Sequence, residues 1–210
     1  MAAALSVVAF LINILVSNRI SSPVSDMVEL LAKKAAMDQL TQLLNKKSYE
    51  ELVSDTLQNA HSNDKYCMIL FDIDNFKGLN DNFGHAAGDK VLTEVGTVMR
   101  KQFKASAYLG RLGGDEFSAF FELPKRLADD KEYISARCAK LCEALRSTYT
   151  SGDKSYNVSV SAGASLFPEN ASDFQELYTR ADSALYISKR NGKDSFRLFG
   201  EESEGSKNET

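Results

Sequence analysis

The sequence predicts an α/β sandwich on a mixed sheet. Segments with helical period alternate with a few strand-like runs, and two of those runs flank Gly113-Gly114-Asp115-Glu116-Phe117 as a β-hairpin. The chain has 210 residues and 43% hydrophobic content, enough for one domain with a sizeable core plus an appendage.

Residues 1–16 are almost continuously apolar, interrupted only by Ser6 and Asn13. This is somewhat short of the roughly 20 residues that cross a bilayer, so 1–18 reads as a short or partial transmembrane helix. A signal peptide would have a basic start, whereas the first basic residue here is Arg19. Arg19, Lys33 and Lys34 after the apolar run predict a cytoplasmic C-terminal part. This arrangement suggests that Met1 lies inside a longer receptor gene. Residues 19–37 carry Val24, Met27, Leu31 and Ala35 in an approximate heptad stripe after Ser22-Pro23, predicting a helical signalling linker. That linker is either a short coiled coil or a single amphipathic helix on the domain.

A helix is expected over 45–61, followed by a buried strand over 66–70. A second helix over 88–103 turns Val91, Leu92, Val95 and Val98 or Met99 inward, and 137–149 continues the helical pattern. The hairpin strands occupy 108–112 and 117–123, and 156–167 alternates as a strand. An amphipathic helix over 173–190 and a short strand over 195–199 complete the domain at about residue 200. Residues 201–210 have nothing apolar to bury, so a disordered tail is expected.

The chemistry gathers at two places. Gly113 and Gly114 permit backbone angles closed to other residues and leave room for a nucleotide beside Asp115 and Glu116. The run Phe71-Asp72-Ile73-Asp74-Asn75-Phe76-Lys77 ends a buried strand on carboxylates, whose burial a hard divalent cation would offset. Asp74 or Asn75 is also a natural helix cap, compatible with metal binding by Asp72. A formal charge of −4 argues against a surface that coats nucleic acid. Cys67, Cys138 and Cys142 have no ligand partners at metal spacing and fit reduced packing residues in a cytosolic domain.

Together these stretches resemble the GGDEF family of diguanylate cyclases, which join two GTP molecules into cyclic di-GMP and release pyrophosphate. The resemblance runs from Asp38-Gln39-Leu40-Thr41 through the Asp72 block and Asn80-Asp81-Asn82-Phe83-Gly84-His85-Ala86-Ala87-Gly88-Asp89 to Ala181-Asp182-Ser183-Ala184-Leu185-Tyr186. It implies a nucleotidyl-cyclase-like sandwich with a central five-stranded sheet over 38–200. With the apolar start and the basic residues after it, the expectation is a bacterial inner-membrane protein with its catalytic domain in the cytoplasm.

The resemblance implies that Asp72, the Ile73 carbonyl and Asp115 hold Mg²⁺, or Mn²⁺ in its place, with Glu116 completing the acidic cluster. Asp115 is the expected proton acceptor and Lys77 stabilises charge in the transition state. The N–H groups around Asn75 and Phe76 suit phosphate oxygens, and Lys189 and Lys193 add positive charge. Asn80 and Asp89 match guanine-reading positions, His85 a position near the substrate, and Gly113 and Gly114 the floor beside it. The product joins two nucleotides with twofold symmetry, so two domains must face each other as a C₂ homodimer.

Three departures from the family pattern stand out. Lys193 replaces the usual Arg, Gln42 and Lys46 replace Gly and Arg, and Lys104-Ala105-Ser106-Ala107 stands where many relatives carry the Arg-x-x-Asp product site. Product inhibition through that site is therefore not expected. The alternative reading is a catalytically inactive module that binds GTP or cyclic di-GMP. Such modules usually lose the acids and keep the product site, the reverse of this chain. A purely structural signalling partner would leave the polar constellation without a reason. A P-loop GTPase is excluded by the absence of its glycine-lysine motif.

Overall fold

The computed structural model describes residues 27, 31, 34–103 and 107–201. The apolar segment 1–18, most of the linker, residues 104–106 of the stretch where relatives carry the Arg-x-x-Asp product site, and the tail beyond 201 lie outside them. The chain divides into two units, Met1–Met37 and Asp38–Thr210. In the first, Met27, Leu31 and residues 34–36 are helical. Among the described residues no helix is long and apolar enough to cross a membrane.

In the second unit the elements run β1 (Leu44–Asn45), α1 (Lys46–Gln58), β2 (Tyr66–Ile73), α2 (Phe76–Phe83), α3 (His85–Gln102), β3 (Tyr108–Gly113) and β4 (Glu116–Glu122). There follow α4 (Asp130–Leu145), β5 (Ser147–Ser151), β6 (Lys154–Val158), β7 (Val160–Phe167), α5 (Phe174–Arg190) and β8 (Phe196–Leu198). The main sheet is mixed, in the order β1-β3-β4-β2-β7-β8. β2 lies antiparallel to both β4 and β7, whereas β1 with β3 and β7 with β8 are parallel. The expected five strands are present, and the two-residue β1 adds a sixth at the edge.

Central β2 is buried almost throughout because helices cover both faces of the sheet. Alternation sends Cys67, Ile69, Phe71 and Ile73 into a core with Val91 and Val95 of α3 and Ile134 and Leu141 of α4. Met68 and Leu70 meet Tyr49 and Val53 of α1 and Leu177, Ala181 and Leu185 of α5. Each such aliphatic or aromatic side chain stabilises the fold by about 1.5–3 kcal/mol on full burial. Asp72 follows Leu70 on the α1/α5 side, and the acid therefore emerges where that apolar layer ends.

Two glycines set the approach of the helices. A Cβ on Gly110 of β3 would lie 2.6 Å from the Tyr49 ring, and one on Gly163 of β7 only 2.1 Å from the Leu185 nitrogen. Tyr49 bonds Ser118 Oγ at 2.5 Å, and that hydroxyl also reaches the Ile69 carbonyl at 3.1 Å, satisfying the buried polar atoms under the sheet. The three cysteines are free and buried. Burial raises all three thiols, Cys142 to about 11, which leaves them unreactive.

Two expectations about elements need correction. The helix expected over 137–149 starts earlier, at Asp130 behind the capping Asp129, and stops at Leu145; Tyr149 belongs to the small β5–β6 hairpin. The single strand expected over 156–167 is two strands separated at Ser159, whose carbonyl accepts the Asp74 N–H at 2.9 Å.

Candidate functional site

Asp72 on β2 is directly opposite Glu116 on β4, so both side chains project from one face of the sheet. Asp115 lies in the turn just before, and its carbonyl accepts the Ile73 N–H at 3.4 Å. The turn forms because Gly114 takes a φ of +52°, and a register shift between Arg111 and Gly113 bulges the hairpin beside it. A Cβ on either Gly113 or Gly114 would meet nothing within 4 Å, so the space beside the acids is open as expected.

This corner is short of positive charge. Burial pushes the Asp72 carboxyl up to about 6, and repulsion from Asp115 and Glu116 adds to that against the pull of Lys189, whose Nζ lies 2.9 Å away. Lys189, expected to add positive charge beside the phosphate-binding N–H groups, is here the internal counterion of Asp72. A buried carboxylate takes the nearest ammonium. A cavity of about 400 Å³ adjoins this pair, lined by Glu116, Asp182, Tyr186 and Lys189 among others. A hollow of about 260 Å³ between Glu50, Ser54 and Asp173 contains none of the acids of this corner.

The loop after β2 is a polar knot. Asn75 adopts φ 55° and ψ 30°, a left-handed conformation that asparagine tolerates, and α2 starts at Phe76. Its side chain makes no capping bond; Asn75 Oδ1 instead accepts from Lys193 Nζ at 2.5 Å and its carbonyl from the Tyr156 hydroxyl at 2.9 Å. Asp74 is no cap either. It is buried, and its carboxylate accepts from Ser159 Oγ and Ser161 Oγ, both at 2.7 Å, and from the Asp194 N–H at 3.0 Å. A left-handed residue entering a helix turns successive N–H groups toward one point, the arrangement that receives phosphate. Lys77 is exposed and pairs with no carboxylate among the described residues.

Asn80 lies on α2 with its Oδ1 buried and without a hydrogen-bond partner. It faces Gly88 of α3, where a Cβ would come within 2.1 Å of that oxygen, and Asp89 is the next residue. The two guanine-reading candidates thus belong to adjoining helices. His85 is exposed on the first turn of α3, behind Gly84 at φ 81°.

Residues that sequence reasoning did not single out brace the turn. Arg111 donates Nε and Nη2 to the Gly114 carbonyl at 3.0 and 2.8 Å, and Nη1 to both Asp38 carboxylate oxygens at 3.3 Å. Asp38 also accepts from the Thr41 amide and hydroxyl. Burial opposes ionisation of Asp38, but Thr41 and then Arg111 outweigh it and hold the carboxyl below its usual range. A lone charge inside the apolar strand 108–112 was the available signal for Arg111. Gln42, in the place of the family's glycine, takes a φ of +56° and donates its side-chain amide to Gln39.

The donor set is all oxygen, crowded with negative charge, and fits a hard divalent ion. Among the described residues no three His, Cys, Asp or Glu side chains are grouped closely enough to hold a metal by themselves. Magnesium usually keeps several waters and shares its shell with phosphate, so few protein oxygens suffice to hold it.

Comparison with known proteins bears on this arrangement. The family described as diguanylate cyclase, GGDEF domain, matches residues 35–195. Diguanylate cyclase TpbB of Pseudomonas aeruginosa is 36% identical over 169 residues, covering 80% of this chain and 38% of the relative. Probable diguanylate cyclase DgcE of Escherichia coli is 32% identical over 174 residues, covering 82% of this chain and 15% of the relative. The chain thus spans well under half the length of these relatives. The coiled coil and GGDEF domain of DgcB from Caulobacter crescentus, solved in complex with c-di-GMP, superposes with a TM-score of 0.74 at 25% identity, covering 87% of this chain and 95% of that one. With strand-end acids, glycine turn and phosphate-type loop in the family's order, this chain belongs to the GGDEF family and is a homologue of diguanylate cyclases.

Proposed function

We propose that the protein is a diguanylate cyclase, condensing two GTP into cyclic di-GMP. In each of two equivalent steps a ribose 3′-hydroxyl attacks the α-phosphorus of the other nucleotide, a P–O bond forms, pyrophosphate leaves and the hydroxyl proton is accepted. The observation that carries this reading is the convergence of Asp72, Glu116 and the Asp115 turn at one sheet corner, beside an open glycine floor.

Asp72, Asp115 and the Ile73 carbonyl would hold Mg²⁺, or Mn²⁺, which when bound neutralises phosphate charge and acidifies the hydroxyl. Asp115 accepts the proton, with Glu116 alongside. The N–H groups at Asn75 and Phe76, with Lys193, bind phosphate oxygens, and Lys77 meets charge that develops in the transition state. Lys189, now paired with Asp72, would be free to add its charge toward the phosphates if a cation took its place there. Asn80 and Asp89 read guanine, with His85 at the rim. The unpartnered Asn80 oxygen supports this, since a buried acceptor without a donor calls for one from a ligand.

One set of nucleotide groups per domain and a twofold product call for two copies face to face, a C₂ homodimer. The apolar segment 1–18, followed by basic residues, would anchor the domain at the cytoplasmic face of the bacterial inner membrane.

The test is incubation with GTP and Mg²⁺ and mass analysis of the products. Cyclic di-GMP is expected from the wild type and none from Asp115→Asn. GTP binding without conversion would instead show an inactive binding module.

A further inference from the structure

Asp74 is a buried carboxylate with no place in the chemistry above, yet it joins three stretches of chain. Its backbone follows the metal-side strand, its oxygens take hydroxyl bonds from Ser159 and Ser161 at the start of β7, and Oδ2 also accepts the Asp194 N–H from the loop after α5. That third stretch is conformationally demanding. Lys193 and Asp194 are consecutive non-glycine residues at φ 64° and 46°, a region that side chains disfavour and that persists only where surroundings impose it.

The imposing contacts are few. Asp74 holds the Asp194 amide, Arg146 holds the Asp194 carboxylate through Nε at 2.8 and 2.9 Å, and the Lys193 amide reaches the Ser188 carbonyl at 3.3 Å. The outcome is that Lys193, an exposed side chain on a surface loop, is delivered to Asn75 Oδ1 at the mouth of the phosphate-type loop. The residue just before Asn75 is Asp74 itself. One carboxylate therefore sets both the backbone that presents N–H groups and the loop that presents the ammonium.

We infer that Asp74 is a positioning residue for triphosphate binding, acting through Lys193 and the Asn75 backbone rather than by touching nucleotide. This inference rests on the reading that the loop receives GTP phosphates. The Asp74→Asn side chain keeps the shape but loses the charge that strengthens all three bonds, and its amide nitrogen is a donor that the Asp194 N–H cannot meet, whereas a serine hydroxyl can turn to accept it. Lys193 and Asn75 should then lose their registration while Asp72, Asp115 and Glu116 keep theirs.

The test compares wild type, Asp74→Asn, Lys193→Ala and the double variant of the full chain, with GTP affinity measured by calorimetry and turnover by product analysis. Each single variant should weaken GTP binding about tenfold, the scale of one lost charge-assisted bond, and raise KM far more than it lowers kcat. The double variant should be weaker than Lys193→Ala by much less than the full Asp74→Asn factor, because Asp74 works largely through that lysine and only in part through the Asn75 backbone. Losses that multiply to about a hundredfold, or an Asp74→Asn protein that binds GTP like wild type, would overturn the inference.

Amide hydrogen exchange without nucleotide decides the point separately. Exchange at Asp194 and its neighbours should accelerate in Asp74→Asn, and unchanged protection would refute the role. If Asp74→Asn does not fold, Ser161→Ala removes one of its donors and should shift the same readouts in the same direction. No shift would count against the inference. A wild type that fails to bind or convert GTP would overturn the proposed function, whatever the exchange pattern shows.

Discussion

Lys189 and Asp72 form an ion pair at 2.9 Å between the last turn of α5 and the end of β2, with the Asp72 side chain largely withdrawn from water. The pair neutralises only part of a corner that also contains Asp115 and Glu116.

A pH dependence follows from that shortfall. The folded carboxyl of Asp72 titrates at about 6, above its unfolded value of roughly 4, so the native state holds a proton that the unfolded chain has released between these values. Asp72 therefore destabilises the metal-free protein progressively as pH rises from roughly 4 to 6, with the full cost present above. Thermal melts of Asp72→Asn should lose this decline. Mg²⁺ should raise the wild-type melting temperature at pH 7.5 and much less at pH 5, where the carboxyl is protonated. Equal shifts at both pH values would contradict the assignment.

Arg111 ties the glycine turn at Gly114 to the start of the domain at Asp38. Arg111→Lys keeps the charge but cannot make both bonds to Gly114 while reaching Asp38. Turnover should fall by about tenfold or more, with stability reduced by about 1–2 kcal/mol, as read by kinetics beside chemical denaturation. Arg111→Ala should cost more, since it leaves the partly buried Asp38 without its cation.

Gln42 has a left-handed backbone, for which a side chain costs about 1–2 kcal/mol. Glycine would relieve that cost and give back about 0.5–1 kcal/mol through unfolded-state entropy. The Gln42→Gly variant should therefore gain about 0.5 kcal/mol, visible as a small rise in denaturation midpoint with an unchanged slope.

Gly163 should tolerate nothing larger. An added Cβ meets the Leu185 nitrogen at 2.1 Å and the Ala181 carbonyl at 2.3 Å, both backbone atoms of α5. Gly163→Ala must push α5 off the sheet, at a cost of at least about 2 kcal/mol or roughly 4–8 °C in melting temperature. Because α5 carries Lys189, Mg²⁺ affinity should change as well.

Much of this architecture was legible because burial writes itself into local pattern. The run that became β2 could be read because helices cover both its faces, and α5 because Leu177, Ala181, Ala184 and Leu185 repeat along one side. Asp72 and Asp115 were visible as acids at a strand end and a glycine turn. The β5–β6 hairpin escaped because its residues are mostly exposed polar ones, which leave no apolar alternation to find. Capping was the only role that local sequence offered Asp74, shared with Asn75, because its partners Ser159, Ser161 and Asp194 lie 85, 87 and 120 residues away. No short-range rule reports such distances.

The three sulfhydryls deep in the α3/α4 layer make the native chain a ready background for site-directed spin or fluorophore attachment. A cysteine engineered at exposed Tyr186 would react with maleimide while Cys67, Cys138 and Cys142 stay silent, giving a single reporter beside the acidic corner without prior removal of native residues.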